Sequence, residues 1–168
     1  MSLCALSCED LLGYGDYTAG QWRDWFAANE VALDVACDIN NTGTVRGLVQ
    51  HIFAVELRFA QRLLGEDVTP YDQLPIKTLP DLFAIHALAL EKYRTFLRTA
   101  TEAAFGEIIE VKLRTGQALR VSRRDIFVHA HLHASRHWAQ IATVVRHAGY
   151  PQIGPQDYLL YGASRSAS

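Results

Sequence analysis

The sequence predicts an all-α fold, a four-helix bundle with one short β-hairpin between the third and fourth helices. Long apolar stripes recur at helical spacing, capping signals stand where those stripes begin, and strict two-residue alternation over a pair of runs is found in only one place. At 168 residues with 49% hydrophobic content, the chain has the size of one ordinary domain that buries its core without cross-links.

The first helix is expected over Glu9–Asn29, with Leu12, Trp22, Trp25 and Phe26 on its apolar side and a break near Gly13 and Gly15. Residues 31–44 read as a loop. Alternating Val31, Leu33 and Val35 suggest an extended stretch, and Asn40, Asn41, Thr42 and Gly43 supply turn and cap chemistry. The second helix, Thr44–Gly65, places Val45, Leu48, Val49, Ile52, Phe53, Phe59, Ala60 and Leu63 on one broad face, and Gly65 ends it. The third is announced by Thr78, Pro80 and Asp81 and is expected to reach Ala103, burying Leu79, Leu82, Phe83, Leu90, Tyr93 and Leu97. Ile109, Val111 and Leu113 alternate, Thr115-Gly116-Gln117 can turn, and Leu119 and Val121 alternate again, which marks the hairpin. Ser122 and Asp125 cap the fourth helix, which runs to Gly149 before Pro151. Gln152–Gly162 reads as a packed but irregular segment, and Ala163–Ser168 as a flexible tail.

Charge and composition exclude several function classes. A net charge of −2 with 16 scattered Lys and Arg residues gives no broad positive field for nucleic acid or an anionic membrane. No stretch approaches the roughly 20 apolar residues needed to span a bilayer. The opening residues lack a basic region and soon reach acids, so the chain reads as cytoplasmic. Cys4, Cys8 and Cys37 are odd in number and fit reduced thiols; Cys4 and Cys8 could share a helix face as a soft metal pair, or simply pack as small apolar residues.

The chemistry concentrates in the seven histidines. On the fourth helix Ile126, Ala130, His133, His137, Ile141, Val144 and Ala148 form one stripe, so His133 and His137 face inward one turn apart, a spacing at which two imidazoles reach one ion. His129 and His147 lie at the stripe's edge and His131 off it, which assigns all three to the surface or rim. His51 borders the second helix's stripe and is placed to look across a groove as a third ligand. Three histidines would leave zinc, nickel or another first-row ion with open positions, the arrangement of a catalytic site. Pattern alone leaves the alternative that the inward histidines are hydrogen-bonded core residues. His86 is also inward, as a fourth ligand or a core histidine. Glu56 lies on the second helix's buried face and needs a partner: an Arg from a neighbouring helix, or a ligand histidine that it orients.

Two segments, GTVRGLVQHIFAVELRFAQRLLGE and HLHASRHWAQIATVVRHAGYP, resemble the second and last helices of the DinB-like (DinB/YfiT-like) superfamily of metalloenzymes. The family's His-x-x-x-His, a following Gln, and an Arg and Gly near the helix end correspond to His133, His137, Gln140, Arg146 and Gly149. The resemblance implies a single DinB-like bundle domain over residues 1–162, with one divalent metal, zinc or nickel above all, held by His51, His133 and His137. It also implies a homodimer and a small-molecule substrate, with a low-molecular-weight thiol as a further cofactor, because relatives include thiol-dependent transferases and isomerases. The family's usual Arg-Gly after the final histidine is Trp138-Ala139 here, which puts in doubt a basic group beside the metal. The functional expectation is a metal-dependent hydrolase or thiol-dependent transferase, with no catalytic side chain assigned; the alternative is a non-catalytic, metal-stabilised or stress-related dimeric binding protein.

Overall fold

Residues 6–112 and 116–166 are described by a computed structural model of the chain. Helix α1 spans Cys8–Ala28 and begins at a reciprocal capping box between Ser7 and Asp10. A 3₁₀ turn over Glu30–Asp34 leads to strand β1, Ala36–Cys37, which pairs antiparallel with β2, Gly43–Thr44. Helix α2 spans Val45–Leu64, capped by the Thr44 hydroxyl and closed by Gly65. Helix α3 spans Leu79–Thr99 behind a Thr78–Asp81 capping box, and α4 is the short Glu102–Gly106. The hairpin β3 (Ile108–Lys112) and β4 (Ala118–Ser122) pairs Ile109 with Val121 and Val111 with Leu119. Strand β4 runs directly into α5, Arg123–His147, whose N-cap is Ser122, and α6 covers Tyr158–Ser166.

The bundle is built from α1, α2, α3 and α5. Helix α2 packs against both α3 and α5, and α1 lies against the same two. Every one of these helices therefore has partners on more than one side, and the apolar arcs meet in a core that contains Trp22, Phe26, Phe53, Leu57, Tyr93, Phe127 and Ile141. Trp22 of α1 stacks on Trp138 of α5 with ring centroids 5.3 Å apart, tying the first and last bundle helices together.

Several local expectations are corrected. Helix α1 is unbroken at Gly13 and Gly15, because both glycines admit close neighbours: a Cβ on Gly13 would stand 2.0 Å from the Tyr161 hydroxyl, and one on Gly15 3.2 Å from Nδ1 of His131. The segment expected to be extended at Val31–Val35 is a 3₁₀ turn over Glu30–Asp34, closed by the Ala32 N–H on the Asn29 carbonyl and the Val35 N–H on the Ala32 carbonyl, which buries adjacent Ala32 and Leu33. Extended pairing occurs just beyond it, where left-handed Asn40 and Asn41 turn the chain between β1 and β2, so strand structure is not confined to the hairpin. The third helix stops at Thr99 rather than Ala103, as extended Ala100 and the Thr101 cap start α4. The irregular segment and the start of the flexible tail are helical over Tyr158–Ser166, docked by Tyr158 and Tyr161 onto Tyr14, with Tyr161 also meeting Tyr17. Leu113, expected to continue the first alternating run, Thr115, expected in the turn, and Cys4 lie outside the described residues. Cys8 and Cys37 are free thiols.

Candidate metal centre

His51, in the second turn of α2, and His133 and His137, mid-way along α5, meet where these two helices pack. One ligand atom from each lies within 4.8 Å of the others. The His133 Nε2 stands 3.1 Å from the His51 Nε2 and 3.2 Å from the His137 Nε2. Nitrogens each about 2.0–2.1 Å from one first-row ion, at angles between octahedral and tetrahedral, are spaced roughly 2.8–3.4 Å apart, so both of these spacings fit such an ion.

The hydrogen bonds around the rings set their protonation. His137 Nδ1 lies 2.6 Å from the Gln140 side-chain oxygen, which only accepts, so Nδ1 carries the proton. The Arg136 guanidinium, which only donates, reaches the His137 Nε2 at 3.3 Å, so that nitrogen offers its lone pair. The Asn40 amide nitrogen likewise stands 3.0 Å from the His51 Nε2. Burial drives the His133 pKa down to about 3, helped by the neighbouring His137, His51, Arg136 and His129. His137 is lowered by burial too, with Gln140 opposing and Arg136 adding. His133 and His137 thus stay neutral at physiological pH, the form in which imidazole ligates. The three imidazoles aim nitrogens at one volume, an arrangement that a cation can occupy.

Sequence reasoning selected these residues and left others to the structure. His86 and Glu56 prove to be partners of each other: His86 Nδ1 bonds a Glu56 carboxylate oxygen at 2.7 Å, and its Nε2 faces Asp16 at 3.6 Å. Glu56 therefore has neither the expected arginine nor a ligand histidine as partner, and His86 is not part of the converging triad. His129 and His147 are exposed, as expected. His131 is the correction: it is buried, against Tyr93 and Phe127 and beneath Gly15. Its face of α5, shared with Phe127, Ala134, Trp138 and Val145, is covered because α1 packs there while α2 covers the triad's face. A single-stripe reading misses this second covered face.

The departure at Trp138-Ala139 does not remove the basic group from the site. Arg136, the residue before the final histidine, supplies one. Asn40 was legible only as a turn former; its left-handed backbone, φ 55, brings it to His51, and no local pattern announces that contact.

The triad opens on a groove of about 1070 Å³ between α2, α5 and the hairpin, lined by Val55, Phe59, Val111 and Gln140 besides the histidines. The triad is therefore on a wall rather than sealed inside the bundle. A family model described as the DinB family matches residues 10–165. The chain belongs to the DinB family. Among curated proteins none matches it. In this DinB-family chain the histidine pair on α5 and the histidine of α2, read from their resemblance to the family's helices, are brought together by the fold and could hold a metal ion. No helix among the described residues is long and apolar enough to cross a membrane.

Proposed function

We propose that His51, His133 and His137 hold one divalent transition metal, zinc or nickel, and that the protein is a metal-dependent hydrolase or thiol-dependent transferase acting on a small molecule. The observation that carries this reading is the convergence of three Nε2 atoms beside an open groove, with the His137 proton held on Nδ1 by Gln140. Structural sites are closed by four protein ligands, whereas catalytic ones have three and keep a position for water or substrate, and the groove supports the second kind. A divalent ion there supplies Lewis acidity that makes a nucleophile, water or a thiol, available at neutral pH.

The protein's own residues supply binding and orientation. Gln140 holds the His137 ring in its ligating tautomer, and the Asn40 amide nitrogen stands at the His51 Nε2, where it gives way when an ion binds. Arg136 places a fixed positive charge beside the triad, where negative charge develops on a substrate under attack. Among the described residues no carboxylate lines the groove, so Glu56, tied to His86, is not the base. The low-molecular-weight thiol rests on the family resemblance.

Metal content per chain, measured by elemental analysis on protein purified without a histidine tag, tests the site. One equivalent is expected, lost in His51→Ala, His133→Ala and His137→Ala and kept in His129→Ala, with folding checked by circular dichroism. Normal metal retention in the folded His133→Ala and His137→Ala variants would refute it. Hydrolytic or thiol-transfer activity that survives full metal depletion would overturn the catalytic part.

We also propose a homodimer, supported by the family resemblance and by exposed Leu132 and Leu159. Sedimentation at about tens of micromolar checks it, since specific dimers of ordinary interface size persist there and a monomer would count against it.

A further inference from the structure

The groove beside the triad is cationic along its length. Arg58, Arg62, Lys112 and Arg136 line it, and among the described residues no Asp or Glu does. Elsewhere on the molecule arginines are commonly paired, as Arg46 is with Asp34, Arg94 with Asp16, Arg123 with Glu107 and Arg124 with Glu102. None of the groove's cations has a carboxylate partner within 4 Å among the described residues.

Arg58 and Arg62 stand one turn apart on the same face of α2, a like-charge pair that destabilises the helix unless something neutralises it. Both are half-buried. Arg62 donates to the backbone oxygen of Arg58 at 3.2 Å and lies over the Phe59 ring, 5.4 Å from its centroid. Its pKa is lowered by burial and by the charge of Arg58, so the free protein keeps a guanidinium in an unfavourable place. Ala54 and Val55 lie between His51 and Arg58 on the groove side of α2, and Phe59 between Arg58 and Arg62, an apolar floor. Arg58 and Arg62 follow His51 by seven and eleven positions, which is about 10 and 16 Å of helix rise, and side chains on a helix lean back toward its N-terminus.

We infer that the groove binds a small organic anion, an apolar body that ends in a carboxylate or phosphate held by Arg58 and Arg62, with its other end at the histidine triad. That this anion is the substrate rests on the function proposed above; that it binds does not. Guanidinium pairs match the two oxygens of either group, and Lys112 adds a point charge from the hairpin side.

The test is calorimetric titration of the metal-loaded and metal-free protein at low salt with 4-phenylbutyrate, its neutral amide and phenyl phosphate. The anions should bind at least tenfold more tightly than the amide, and the tighter of the two identifies the oxyanion. The double variant Arg58→Gln/Arg62→Gln, and Lys112→Gln at its exposed strand position, should each weaken anion binding, the double variant at least tenfold. Arg98→Gln, outside the groove, should leave binding unchanged. Equal affinity for anion and amide, or unchanged anion affinity in the folded double variant, would overturn the inference. Metal loss with anion binding retained would count against the triad reading alone; full metal content with no anion binding would count against the anion site alone.

Discussion

The His137 ring donates its Nδ1 hydrogen to the side-chain oxygen of Gln140, one turn further along α5, across 2.6 Å. This bond turns the Nε2 lone pair toward His133 and removes the ring's freedom to flip. Gln140→Ala is therefore expected to weaken metal binding by about 10–100-fold without unfolding the protein, the usual effect of losing an orienting partner. Gln140→Glu, which keeps an acceptor, should largely restore it. Competition against a chelator measures both; an unchanged affinity in Gln140→Ala would show that the bond orients nothing.

His131 shares α5 with the triad but not its face. His131→Ala should keep full metal content while costing about 2–4 kcal/mol of stability, because it leaves a cavity between Tyr93 and Phe127. Metal analysis and urea unfolding on the same sample separate the two effects. Loss of metal in a folded variant would contradict the assignment.

The His86–Glu56 pair gives stability a pH dependence of known sign. Burial opposes the charge on His86, but the Glu56 charge and the Asp16 carboxylate outweigh it and raise its pKa from 6.5 to about 9. A histidine raised on folding contributes fully below about pH 6.5, and the contribution is lost as pH climbs through about 9. The urea midpoint should accordingly fall between pH 7 and 10, and the fall should be shallower in Glu56→Gln. Glu56→Ala, which strands the imidazolium, should cost roughly 3–5 kcal/mol at neutral pH. A flat wild-type profile over this range would contradict the charged pair.

Gly13 tests the docking of α6. A Cβ there meets the Tyr161 hydroxyl at 2.0 Å, so Gly13→Ala must push Tyr161 off Tyr14 and Tyr17. The expected cost is about 1–3 kcal/mol, with α6 cleaved first in limited proteolysis and metal content unchanged. Wild-type protease resistance at α6 would show that the ring finds another seat.

Sequence by itself determined what local physics controls. Helix starts at Thr78 and Ser122 follow from side chains that satisfy backbone donors three residues on, and the hairpin follows from alternation about a turn. The facing of His133 and His137 follows from a four-residue step on one helix. Only the tertiary structure decided the rest, because each remaining relation joins distant residues whose meeting depends on how the helices pack. His51 meets His133 across 82 positions, and Glu56 meets His86 across 30 instead of an arginine. His131, off the triad's stripe, is buried because α5 is covered on a second side by α1, through a contact that Gly15 permits. The cations from α2, α5 and the hairpin share one groove for the same reason: a helical wheel places a side chain on its own helix, and only packing says what stands opposite.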